Sequence, residues 1–118
     1  MITDVFCKII GGELKSDVVY EDGDFLVIRD IKPQAPVHVL IIPKKHTDSL
    51  ADLMVEDAPL LGRALLVAEK IAKKEKLSRG YRLIINEGEH GGKLVPHLHI
   101  HLLGGKPLGA NLVPTTHA

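Results

Sequence analysis

The segment "LVPHLHIHLLGG", residues 94 to 105, constrains the fold of this chain more than any other. His97, His99 and His101 alternate there with Leu98, Ile100 and Leu102. Successive side chains of a β-strand point to opposite faces, so the alternation puts three imidazoles on one face and three aliphatic side chains on the other. Wound as a helix, the same residues would scatter the imidazoles around the cylinder and leave no continuous apolar stripe. A strand over 97–102 is expected, with one face packed on a core and the other free for chemistry.

The rest of the chain supplies partners for that strand. "DVVYEDGDFLVIRDI" holds two β-rich runs, Asp17 to Tyr20 and Phe25 to Asp30, around an acidic Gly-containing turn, which is a hairpin pattern. "VHVLIIP" reads as a third strand bounded by Pro36 and Pro43, and "YRLIINEG" as a fourth. Between them "HTDSLADLM" suits a short helical turn, and Asp57 and Pro59 suit the start of a longer helix. Its expected inner face is Leu61, Leu65, Ala68 and Ile71 or Ala72, and its lysine-rich end is a solvated terminus that complements the helix dipole. Strands in tandem around one main helix give an α+β domain with a mostly antiparallel sheet. At 118 residues one domain over 1–118 is expected, with a Pro-containing tail from about 106 to 118.

Charge and cysteine usage narrow the partners. Lys plus Arg equals Asp plus Glu, so the chain lacks the cationic excess of a general nucleic-acid binder. No run approaches a membrane span, and a cytoplasmic location is the expectation. Cys7 is the only cysteine and has Asp4 three places before it, so it has no second thiol for a disulfide or a C-x-x-C site, and it reads as a small, partly buried hydrophobe.

Three histidines on one strand face admit three readings: a zinc site built on H-x-H, a hydrogen-bonded polar face, or nucleophilic and acid/base catalysis by a neutral imidazole. The strand carries no acidic residue to orient metal-bound imidazoles, which weighs against zinc. Ahead of the histidines stand Asn86, Gly88, Gly91 and Gly92, whose backbone N–H groups can approach an anion closely, and Lys93, which can add positive charge. Phosphate suits such a loop. Asp30, ending the run "FLVIR", could accept hydrogen bonds from the vicinal hydroxyls of a ribose, although a turn-forming aspartate reads the same way.

"HLHIHLL" resembles the H-φ-H-φ-H-φ-φ signature of the histidine-triad (HIT) family of nucleotide hydrolases and transferases. "FCKIIGGEL", "YEDGDFLVIRDIKPQAP", "HVLIIPKKH", "GYRLIINEG" and "HIHLLGG" extend the likeness, in order, to the HINT branch from about Val5 to Gly105. The resemblance implies a HIT-like α+β fold with a five-stranded, mostly antiparallel sheet, a homodimer, no cofactor and no metal, and hydrolysis of purine nucleoside phosphoramidates or related adenylylated compounds to an AMP- or GMP-type product. It also keeps alive a dinucleoside polyphosphate hydrolase, a nucleotidyl transferase and a nucleotide-binding regulatory module with weak catalysis.

By motif position the resemblance makes His99 the nucleophile, His97 its orienting neighbour through a backbone carbonyl, His101 a phosphate contact and His38 the fourth histidine of the site. Asp30 and Ile31 fall at ribose and base contacts, Phe6, Ile9 and Leu14 at an apolar base pocket, and Asn86, Gly92, Lys93 and Leu94 around the phosphate and leaving group. Two positions depart from the branch. Lys93 and Leu94 stand where Gln-Ser or Gln-Thr is common, removing a hydroxyl near the leaving group, and the tail lacks the usual tryptophan. His46, His90 and His117 match no catalytic position and read as structural or surface residues.

Overall fold

In the computed structural model, which describes residues 4–111, five antiparallel strands form one sheet in the order β1-β2-β3-β5-β4. They are β1 (Val18–Glu21), β2 (Phe25–Arg29), β3 (Val37–Pro43), β4 (Tyr81–Ile84) and β5 (Ile100–Gly104). Asp22 closes the first hairpin: its Oδ1 accepts the N–H groups of Asp24 and Phe25, each at 2.8 Å, and its Oδ2 accepts the Tyr20 hydroxyl at 2.8 Å.

β2 and β3 are covered on both faces, which is why they read as unbroken apolar runs. One face carries Phe25, Val27, Val39, Ile41, Ile100 and Leu102 under the long helix α2 (Ala58–Lys74). The other carries Leu26, Ile28, Leu40 and Ile42 under Phe6 of a short helix, α1 (Val5–Ile10). Ile41, Ile71 and Ile100 are fully buried on the α2 side, and truncating any of them to Ala would cost about 2–5 kcal/mol.

The inner face of α2 is Ala64, Val67, Ala68, Ile71 and Ala72, so the expectation of Leu65 on that face is corrected. Leu65 and Leu66 are exposed, and alanines lie inward because their size lets the helix approach the sheet closely. The expected short helix before α2 is two single 3-10 turns, Leu50–Asp52 and Val55–Asp57.

α1 was not legible as a helix in the periodicity, because six residues carry less than two turns of pattern. Its ends are nevertheless encoded: Asp4 caps it by accepting the Cys7 N–H at 2.8 Å, and Gly11 and Gly12 end it, with Gly12 at φ 83°.

The histidine strand also begins later than expected. The β3–β5 ladder ends at Ile41 facing Ile100, so His97, Leu98 and His99 precede the strand. Continued in that register, Ile42 would face His99 and Pro43 would face Leu98, but Pro43 has no N–H to donate, and its carbonyl is taken by Nε2 of His97 at 2.8 Å. Leu98 is held instead by its N–H to the Thr47 carbonyl at 2.7 Å. Among the described residues no helix is long and apolar enough to cross a membrane. His117 and the end of the expected tail lie outside the described residues.

Candidate functional site

A cavity of about 640 Å³ opens on the α1 side of the sheet. Phe6, Ile9, Leu14, Ile28 and Leu40 give it an apolar end, while Asp30, His38, His99, His101, Asn86, Gly92 and Leu94 surround the polar end. The sequence dictates this placement through the period of the strands: Leu40 pairs with His101 across β3 and β5, and His38 lies two residues before Leu40, so His38, Leu40 and His101 share a face. Ile31 reaches the mouth with 90% exposure.

The hydrogen bonds of the imidazoles fix which nitrogens carry protons. His99 Nδ1 meets the carbonyl oxygen of His97 at 2.7 Å, and a carbonyl only accepts, so Nδ1 donates and Nε2 keeps a lone pair. His38 Nδ1 accepts the N–H of Gln34 at 3.0 Å, which leaves the proton on its Nε2. That Nε2 lies 2.9 Å from His101 Nδ1 and donates to it, so the proton of His101 belongs on its own Nε2. The three rings thus present one nucleophilic nitrogen and one donor to the cavity side.

The electrostatics favour these neutral forms. Burial pushes His101 down to about 4, helped by His99 and His38 and opposed by Asp30. Burial also lowers His99, against its bond to the His97 carbonyl, and lowers His38, against the pull of Asp30. Asp30 is partly committed: Oδ1 accepts the Lys32 N–H at 2.8 Å and Oδ2 lies 3.3 Å from His38 Nε2. A carboxylate offers about four acceptor positions, so capacity for sugar hydroxyls remains.

The loop between β4 and β5 closes the polar end. Asn86 ties it by donating Nδ2–H to the Gly91 carbonyl at 2.7 Å. A Cβ on Gly91 would stand 2.1 Å from the Glu87 carbonyl oxygen, and Gly92 takes φ 78°, so both glycines are required by the backbone path.

Lys93 does not extend into the cavity, which corrects the expectation of a phosphate-facing charge. Its ammonium bonds the Asp48 carbonyl, lies 3.1 Å from the Asp48 carboxylate and 3.8 Å from Glu87, and its side chain is largely buried there. Three oxygens on one side outcompete an open cavity for the cation. Leu94 stands at the mouth with 93% exposure.

His97 likewise turns away from the cavity, and only its carbonyl serves His99. Its ring is fully buried beside Asp4, Cys7 and His46. His46, a structural or surface residue by motif position, lies with its ring centroid 4.9 Å from that of His97 because of the turn after β3, which no short-range spacing reveals. Among the described residues two groups of side chains are close enough to hold a metal ion: this one, and Asp30 with His38 and His101 in the cavity.

An antiparallel sheet with alternating histidines entering one strand and a further histidine on its neighbour defines the histidine-triad class. The chain belongs to the HIT family: the family profile, described as the HIT domain, matches residues 11–108. It is 50% identical over 109 residues to the purine nucleoside phosphoramidase of Escherichia coli K12, covering 92% of each chain. It also superposes on a HIT family hydrolase from Clostridium thermocellum with a TM-score of 0.91 at 44% identity, covering 96% of this chain and 99% of the other. A HIT family hydrolase from Legionella pneumophila gives 0.89 at 47% identity, covering 92% and 97%.

Proposed function

We propose that this chain hydrolyses purine nucleoside phosphoramidates or related adenylylated compounds through a nucleotidyl-histidine formed on His99, releasing a nucleoside monophosphate. The observation that carries the reading is the 2.7 Å bond from His99 Nδ1 to the His97 carbonyl, which leaves Nε2 as an unprotonated nucleophile in a ring that burial keeps neutral. Likeness to the E. coli phosphoramidase along most of both chains supports the substrate class.

The purine enters the apolar end between Phe6, Ile9 and Leu14, with Ile31 at the mouth and the ribose at Asp30. His99 Nε2 attacks the α-phosphorus; a phosphorus–nitrogen bond to the imidazole forms as the bond to the leaving amine breaks. The electron pair goes to that amine, which takes its proton from water at the open mouth, since Leu94 offers no donor. Water then attacks the same phosphorus, gives up a proton to solvent, and returns the imidazole to its neutral form. His101 donates from Nε2 to a phosphoryl oxygen, and backbone N–H groups around Gly92, Lys93 and Leu94 add further donors. No cofactor enters these steps.

The single domain acts as a cytoplasmic homodimer in this reading. β4 is an edge strand among the described residues, and Tyr81, Leu65 and Leu66 leave apolar surface exposed, which suits coverage by a second copy. Sedimentation at micromolar concentration tests it, with a monomer as the overturning result.

Rapid quenching with adenosine 5′-phosphoramidate followed by mass mapping tests the chemistry. An AMP adduct on His99, absent in His99→Ala, is expected. Turnover by His99→Ala at the wild-type rate, or an adduct on another residue, overturns the mechanism; purine monophosphate binding without turnover replaces it with the regulatory-module reading.

A further inference from the structure

With the α-phosphorus at His99 and the ribose at Asp30, as the proposed reaction requires, the purine projects toward Phe6, Ile9, Leu14, Ile28 and Leu40 at the apolar end of the cavity. Such side chains cover the faces of a purine but offer its ring nitrogens and exocyclic groups no hydrogen bond. One purine is told from another at its edges, so the polar groups at this end decide which is taken.

Most polar lining residues are committed elsewhere. The guanidinium of Arg29 is held by the Glu75 carboxylate at 2.9 and 3.3 Å. Lys32 and Gln34 stay beside the ribose: the Lys32 N–H donates to Asp30 Oδ1, and Gln34 Nε2 donates to the Lys32 carbonyl. Lys15 and Ser16 remain. They follow Leu14 directly in the chain and line the same cavity, Lys15 exposed and Ser16 half-buried. Their backbone is pinned on both sides. The Glu13 and Leu14 N–H groups donate to the Lys8 carbonyl of α1 at 2.8 and 3.3 Å, and the Asp17 carbonyl accepts the Arg29 N–H at 3.0 Å.

The chemistry of these two side chains is unequal. An ammonium carries three donors and no acceptor, whereas a hydroxyl donates or accepts and so discriminates little. Guanine presents two neighbouring acceptors, N7 and O6, on one edge, while adenine presents N7 beside an N6 amino donor. Opposite an ammonium the guanine edge is satisfied at both atoms; the adenine edge sets donor against donor. Asp30 is the one carboxylate lining the cavity among the described residues, and it serves the ribose, so no carboxylate at the base end rewards an amino group.

We propose that Lys15 is a specificity-determining residue that reads the N7 and O6 edge of the base and gives the site a preference for 6-oxopurine nucleotides, guanosine foremost, over adenosine. The assignment rests on the substrate orientation of the proposed reaction. At an exposed position the preference falls at the low end of what a base contact supplies, about 5- to 10-fold. A contact to the 6-oxo group needs no 2-amino group, so inosine behaves as guanosine does.

Calorimetry with GMP, IMP and AMP tests this without turnover, and kcat/KM on the matching 5′-phosphoramidates tests it with turnover. GMP and IMP are expected to bind alike and about 5- to 10-fold tighter than AMP. Lys15→Met brings the three affinities together. Lys15→Gln, whose amide pairs with N6 and N7 of adenine, moves the preference toward AMP, and Lys15→Arg, which pairs with O6 and N7, keeps it on GMP. All three variants are expected to keep the circular dichroism of the folded chain, since the position is exposed. Equal affinity for GMP and AMP in the wild type overturns the assignment. An equal loss for all three ligands in Lys15→Met does so by making the ammonium a general attractor of phosphate, and IMP binding like AMP does so by moving the discrimination to the 2-amino edge. A preference that changes in Lys32→Gln and not in Lys15→Gln assigns the edge to Lys32 instead. Because affinity is read on monophosphates, the outcome is separable from the chemistry at His99: a missing nucleotidyl adduct removes the hydrolase and leaves the affinity ratio, whereas an unselective site leaves the hydrolase.

Discussion

His38 Nε2 lies 2.9 Å from His101 Nδ1, and the bond between them decides the tautomer of His101. Because Gln34 donates to the other nitrogen of His38, the proton sits on Nε2, where His101 Nδ1 at 2.9 Å is a nearer acceptor than Asp30 Oδ2 at 3.3 Å, and His101 is left with its own Nε2–H as a free donor. Replacing His101 with Ala removes that donor, and kcat on adenosine 5′-phosphoramidate is expected to fall on the order of 10²-fold with a smaller change in KM. Steady-state kinetics check this, and an unchanged kcat would remove His101 from the transition state.

The same ring makes stability pH-dependent. His101 titrates near 4 in the folded chain against an ordinary value of 6.5, so between those values the unfolded chain binds more protons. Stability therefore falls as pH drops from about 6.5 toward 4 and is fully present above that window. Urea midpoints are expected to be lower at pH 5 than at pH 7, and His101→Gln is expected to flatten part of that slope. An equal slope in the variant would contradict the burial assigned to this ring.

Lys93 serves as a loop anchor through Asp48 and Glu87. Lys93→Met and Asp48→Asn are each expected to lower the denaturation midpoint. The double variant should fall short of the sum by about 1 kcal/mol, since both remove one interaction. Strict additivity in the double-mutant cycle would show that the pair contributes nothing.

Leu94 leaves the departing amine without a side-chain donor. Leu94→Ser restores a hydroxyl there and is expected to speed hydrolysis of alkylamine phosphoramidates by about 10-fold or more, with little effect on anilide-type leaving groups that need less acid assistance. At 93% exposure the change should move stability by less than about 0.5 kcal/mol. Equal acceleration for both leaving groups would argue against proton donation.

The strands were legible because their periods are carried by contiguous residues: Val37–Pro43 appears in the sequence with the bounds it has in the fold. The assembly of Asp30, His38, His99 and His101 around one cavity agrees with the family likeness, and the alternation of β5 explains why His101 faces it. What escaped the sequence was long-range or short-lived. α1 is too brief to show a period, Lys93 is diverted by a carboxylate 45 residues away in the chain, and Cys7 meets His46 only because the turn after β3 returns beside the helix.

One turn and a half of helix thus acts as a party wall. Val5, Phe6 and Ile9 furnish the chamber on one side, while Asp4 and Cys7 serve the neighbour behind it. Neither room can be remodelled alone: an inserted or deleted residue between Asp4 and Ile9 would rotate about 100° of its surface out of both at once, so divergence here must proceed by exchanging side chains at fixed length.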